Sequence, residues 1–204
     1  MLEDEVELWT IQPIEWYHKL QKDKILFAEK SLINIDMSFM LAYQWMQQQM
    51  LQRIGKPPKP NCYPIWAWYQ YNSAKKQRPD LRGSGHLEKG AKGVRIEFNK
   101  SRDDVLLSDF QLWHHPLNYW HIADTEQEDQ IFDNFLLQNN VKWGDIESYT
   151  LPIKEKIEAS WVKIFDMNYA PEYSASPFER KSIQATFWSL SIDEIVKVDE
   201  FIAR

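Results

Sequence analysis

The sequence predicts an α+β domain with a mainly antiparallel sheet flanked by helices, and three observations carry that expectation. β-prone runs and amphipathic helical stripes are interspersed without a regular strand–helix–strand alternation, which argues against an all-parallel sheet. The chain has 204 residues, the size of one domain, and shows no internal repeat, low-complexity tract or interdomain linker. Residues 63–71 (Tyr-Pro-Ile-Trp-Ala-Trp-Tyr-Gln-Tyr) form a strongly β-prone aromatic run that can anchor such a sheet.

The elements follow in order. Val6 to Gln12 alternates apolar and polar residues and reads as a strand. Pro13 suits a first helical turn, with Trp16 and Leu20 one turn apart on a short helix. Ile25 to Ala28 is a short extended segment, and Asp36 is placed to cap the next helix. There Phe39, Tyr43, Met46, Met50 and Ile54 form a continuous apolar stripe, ended by Gly55 and Pro57-Pro58. In the aromatic run, period two sends Trp66, Trp68 and Gln70 to one face and Ile65, Ala67, Tyr69 and Tyr71 to the other.

Residues 72–92 contrast with their surroundings. They hold Gly83, Gly85 and Gly90, with Lys75, Lys76, Arg78, Arg82, Lys89 and Lys92 against only Asp80 and Glu88. A long glycine-rich, basic loop is expected to be exposed and mobile. Beyond it, residues 93–98 and 104–107 read as strands, and Ser108 with Gln111 has the spacing of a capping box. Thr125 with Glu128 repeats that spacing before Ile131, Phe132 and Phe135, expected on one helical face. Ile157, Trp161, Ile164 and Phe165 mark another amphipathic helix, and the β-prone runs 183–190 and 195–201 close the domain.

Composition excludes several classes. One cysteine, Cys62, rules out an internal disulfide and a cysteine-based zinc cluster, and no disulfide-linked partner is expected. The acidic start lacks the basic and apolar regions of a signal peptide, and no run reaches the length of a membrane span, so a cytoplasmic location is expected. A net charge of −6 argues against non-specific nucleic-acid binding through the whole surface. Ten tryptophans point to a large aromatic core, with the alternative that several of them line a ligand or partner groove.

No dinucleotide fingerprint, phosphate-binding loop, zinc-protease helix, nucleophile elbow or calcium loop is present. Residues 83–88 (Gly-Ser-Gly-His-Leu-Glu) lack a third glycine, and the histidines have no metal-ligand spacing. Residues 78–82 (Arg-Pro-Asp-Leu-Arg) carry more. Arg78 and Arg82 offer paired donors to phosphate or carboxylate, Asp80 can orient one of them, and the tryptophans of the preceding strand can stack a base; the alternative is a solvated loop with a local Arg–Asp pair. At residues 106–110, Ser108 and Asp109 join a strand to a helix; they serve as a cap or, at a ligand site, hold a hydroxyl or an arginine.

The segments 8–12, 63–70, 78–82, 106–110 and 184–188 together resemble a bacterial family of unknown function of about this length. In order of elements the chain also resembles ADP-ribosyltransferase-like proteins, including DNA-targeting ones. That likeness implies a split antiparallel sheet whose cleft binds NAD or another nucleotide. Thr10 and Gln12 would then face the nicotinamide-ribose region, Trp66, Trp68 and Gln70 would line the centre, and Ser108-Asp109 would close one end. Such proteins present a catalytic glutamate on a late strand after a Gln-Ala context. Here Thr186 follows Gln184-Ala185, with Ser189 further on and Glu194 beyond. The resemblance therefore implies a divergent or inactive transferase. From a different class, the alternative is an interaction module that recognises protein or nucleic acid through aromatics and the basic loop.

Overall fold

Strand β1 (Glu5–Pro13) pairs along its whole length with β4 (Lys92–Ser101), from Glu5↔Ser101 to Pro13↔Gly93. In this computed structural model, which describes residues 4–28 and 39–204, that strand pair lies toward one side of a six-stranded sheet. The strand order is β5-β6-β3-β1-β4-β8, with β3 (Ile65–Gln70), β5 (Leu106–Asp109), β6 (Ile183–Phe187) and β8 (Ile195–Ile202). Every pairing is antiparallel. A separate small sheet pairs β2 (Ile25–Phe27) with β7 (Ser189–Ser191). The run 183–190 is thus two strands interrupted at Trp188, whose indole donates to the Gly55 carbonyl.

The sheet is covered on both faces. One face presents Leu8, Ala67, Ile96, Phe98, Ala185 and Phe187, packed with Ile14 and Leu20 of α1 (Ile14–Asp23). The other meets α2 (Met40–Arg53), α3 (Phe110–Asn118), α4 (Glu126–Gln138) and α5 (Leu151–Ser160). The α2 stripe buries Met46 and Met50 completely; the expected Asp36 cap lies outside the described residues. In α4 the buried pair is Phe132 and Leu136, one turn apart, which leaves Ile131 exposed instead of sharing their face. Trp161 follows α5 in a short 3-10 turn, is 1% exposed, and donates its indole N–H to the Trp120 carbonyl at 2.7 Å.

Two local features reposition side chains near the sheet centre. Between Trp68 and Gln70 the register with β6 shifts: Trp68 faces Gln184, yet Gln70 faces Ile183. This bulge moves Gln70 off the Trp66/Trp68 face that strict alternation would give it. At the end of β5, Asp109 and not Ser108 caps α3, accepting from the Gln111 and Leu112 N–H groups at 2.9 and 3.2 Å. Ser108 is the preceding strand residue, fully buried.

The segment from 72 to 91 contains no helix or strand, and Pro79 is its only buried residue. It is tied down at two points. The Arg95 guanidinium donates to the Pro79 carbonyl, and Gly90 N–H donates to Ala203 O at 2.9 Å. At the head of β4, a Cβ on Gly93 would stand 2.5 Å from Leu87 Cδ1 and 2.7 Å from the Phe201 ring. Only glycine permits that approach of loop, β4 and β8.

Candidate functional site

β1 and β3 are neighbours in the sheet, yet they share a single Cα pair, Trp9↔Trp68. Past that pair the strands part. Side chains bridge the gap where ladder bonds would otherwise run. The Thr10 hydroxyl donates to the Trp66 carbonyl at 2.9 Å, and the Gln12 amide donates to Thr10 Oγ1 at 2.9 Å. The parting opens into a cleft of about 570 Å³, within the range of small-ligand sites.

Aromatic rings shape the cleft. Trp68 meets Tyr71 edge-on at 5.0 Å and Phe110, the first residue of α3, at 5.1 Å. Trp66 is braced from behind by Trp113 at 5.1 Å and Tyr43 at 6.0 Å. His86, from the glycine-rich loop, closes the outer wall and lies 5.8 Å from Tyr71. Gln184 of β6, opposite Trp68, adds an amide. No Asp, Glu, Lys or Arg lines this cavity. It is an uncharged slot that combines aromatic rings with amide, hydroxyl and imidazole groups.

Beside it the sheet carries unmet hydrogen-bonding capacity. Trp66 Nε1, Gln184 Oε1 and Ser108 Oγ are buried polar atoms without a protein partner. They share one sheet face, because Trp68, Gln184 and Ser108 stand in one cross-strand row and Trp66 is two residues along β3. An unmet buried group costs about 1–3 kcal/mol, so three at one place mark a region where protein–protein bonding is incomplete.

The sequence-derived site residues separate into three groups. Thr10, Gln12, Trp66 and Trp68 meet in the cleft. Gln70 and Asp109 lie outside it and hold a common turn. The Gln70 amide donates to the carbonyls of Phe178 and Lys181 at 2.9 and 2.7 Å. Asp109 pairs with the Lys181 ammonium at 2.5 Å, both side chains being buried. That turn leads directly into β6 and so places Gln184; Ser108 sits beside it beneath the surface.

Arg78 and Arg82 form the third group. Arg78 is committed to the sheet, with Asp199 at 2.6 Å and Glu97 at 3.5 Å. Arg82 is largely exposed and grips Asp80 through Nε and Nη2, which holds the Asp80 carboxyl well below its usual range. Both line a separate groove of about 660 Å³ that shares Tyr71 and Asn72 with the cleft.

Position 186, where the resemblance directs attention for an acid, lies on the same sheet face as Gln184 and opposite Trp66, but Met46 of α2 covers it and it does not line the cleft. Thr186 is buried, and its hydroxyl lies 3.3 Å from the Leu106 carbonyl. Ser189 has left the main sheet for β7, and Glu194 is held by Lys100 at 2.8 Å and by the Ser191 N–H. The cleft residue of β6 is Gln184. Period two from Thr186 contains that signal, but it is decisive only once Trp68 is known to face position 184. Tyr71, His86 and Phe110 also line the cleft, and sequence reasoning did not select them.

A family model described as a domain of unknown function, DUF3841, matches residues 7–196. The chain belongs to that family. The match spans β1 through the start of β8, so the DUF3841 domain includes both strands of the parting, the loop between β3 and β4, and the β6 strand bearing Gln184. No curated protein and no solved structure matches the chain. Among the described residues, no group of three or more His, Cys, Asp or Glu side chains could hold a metal ion, and no helix is long and apolar enough to cross a membrane.

Proposed function

We propose that this DUF3841 domain binds a nucleotide, NAD among the candidates, in the cleft between β1 and β3, as an ADP-ribosyltransferase-like fold would. The parting of the two strands after Trp9↔Trp68 carries this reading. A continuous ladder would leave no room for a ligand between them. Here the gap is walled by Trp66 and Trp68 and edged by Thr10, Gln12 and Gln184. Flat indole faces suit a heteroaromatic ring, and amides supply paired donors and acceptors for its edge. A cleft, not a flat aromatic face, favours this over the interaction-module alternative.

The same lining favours binding over transfer. Departure of nicotinamide from NAD develops positive charge on the ribose, and an oriented carboxylate stabilises that charge. None lines the cleft, and an amide at position 184 contributes only a dipole.

A thermal-shift screen of NAD, ADP and adenosine tests the reading. A ligand at a hundred times its Kd stabilises by about 2.7 kcal/mol, or roughly 5–10 °C for a domain of this size. No shift with any of the three at millimolar concentration would remove it.

A further inference from the structure

The groove next to the cleft differs from it in one respect, which is charge. Four cations line it, Lys75, Lys76, Arg78 and Arg82, against two carboxylates, Glu7 and Asp80, in a chain whose net charge is −6. The four are not equivalent. Arg78 is held by Asp199 and Glu97, and Arg82 by Asp80. Lys75 and Lys76 have no acidic partner within ion-pair distance among the described residues, and both are exposed.

Their backbone is nonetheless ordered by the chain itself. Tyr71 N–H donates to Gln77 O at 2.8 Å, Asn72 N–H to Lys76 O at 3.1 Å, and Ala74 N–H to Glu179 O at 3.0 Å. These bonds close a tight turn at the end of β3 and pin it to the segment leading into β6. Tyr71 and Asn72 belong to both cavities, so the lysine turn begins where the aromatic slot ends.

We infer that Lys75 and Lys76 form a phosphate subsite, so that the cleft's ligand is a nucleoside di- or polyphosphate whose ring lies between β1 and β3 and whose phosphates cross Tyr71-Asn72 into the groove. This inference rests on the ring-binding reading of the cleft and adds to it the class of tail. An aromatic slot without a cation attracts a base but gives a phosphate no charge to pair with, whereas the adjoining turn offers two ammonium groups with no acidic partner among the described residues. Asp80 is already neutralised by Arg82. Glu7 also faces the groove, where burial and the neighbouring Glu97 carboxyl push its pKa up.

Calorimetric titration of adenosine and of ADP into the wild type and a Lys75→Ala/Lys76→Ala double variant tests it. Charge-assisted bonds to phosphate are each worth roughly tenfold or more in affinity, so ADP should bind the wild type at least tenfold more tightly than adenosine. In the variant ADP should fall to the adenosine level, while adenosine affinity and the melting temperature stay unchanged, since both lysines are exposed. If adenosine and ADP bind the wild type equally, or the variant keeps the ADP advantage, the phosphate subsite is wrong and the ring-binding cleft stands. If neither compound binds the wild type, the cleft reading falls and takes the subsite with it.

Discussion

Lys181→Met is the substitution whose cost follows most directly from the structure. The Lys181 side chain is fully buried and that of Asp109 is 2% exposed; the ammonium lies 2.5 Å from Asp109 Oδ2 and 2.9 Å from the Tyr169 carbonyl. Methionine retains most of the length and apolar contact but removes the charge. Asp109 Oδ1 keeps its two N–H bonds at the head of α3, while Oδ2 becomes an uncompensated buried charge. Breaking one side of such a pair costs about 3–5 kcal/mol. For a domain of this length each kcal/mol lowers Tm by about 2–4 °C, so a fall of roughly 6–20 °C is expected. Urea unfolding followed by tryptophan fluorescence measures it, with an unchanged slope showing that the transition has kept its character. Pairing the change with Asp109→Asn retains the helix cap while removing the orphaned charge, and should recover most of the loss. A single variant within 1 kcal/mol of wild type, or a double variant no better than the single, would refute the reasoning.

Other outcomes follow from the same structure. Trp161→Ala should destabilise by about 3–5 kcal/mol, the range for deleting a buried large aromatic, because the indole packs against Trp45 and Tyr119 and donates to Trp120; an unchanged urea midpoint would contradict its place in the core. Limited trypsin digestion should cut first at Arg82 or Lys89, where residues 83–90 bury little; earlier cleavage within α3 or α5 would contradict this. Burial lowers the pKa of His115 and His121 in the folded state below the ordinary 6.5. The unfolded chain then binds more protons just below that value, so stability should fall as pH drops below about 6.5 and be insensitive to these groups above it. His121→Phe, preserving the stack on Phe132, should flatten the slope; a slope unchanged from wild type would remove His121 as a contributor.

The local elements were legible in the sequence because each declares its own period. The apolar stripe of α2, the alternation of β1 and the aromatic run of β3 all formed where their side chains required. The features that define the site depend on distant partners. The parting of β1 from β3 is a relation between strands some fifty residues apart, and neither run alone encodes it. The bulge after Trp68 inverts the side on which Gln70 lies, and alternation cannot register an inserted residue. Arg78 resembled a ligand-binding cation because its partner Asp199 is 121 residues away. Thr10, Gln12, Trp66 and Trp68 reached the cleft because all four belong to the two parting strands. Gln184 was overlooked because the resemblance pointed two residues further on, to a side chain on the same face that α2 covers through Met46.

The cleft itself can be observed through its tryptophans. In a 15N-labelled sample each of the ten tryptophans contributes an indole N–H resonance, assignable by single Trp→Phe replacements. Titration with NAD and with ADP should move the Trp66 and Trp68 resonances, saturably and together, while those of Trp161 in the core and Trp143 on the exposed surface near α4 stay in place. Shifts confined to Trp143, or no shift at Trp66 and Trp68 at millimolar nucleotide, would contradict a nucleotide site between β1 and β3.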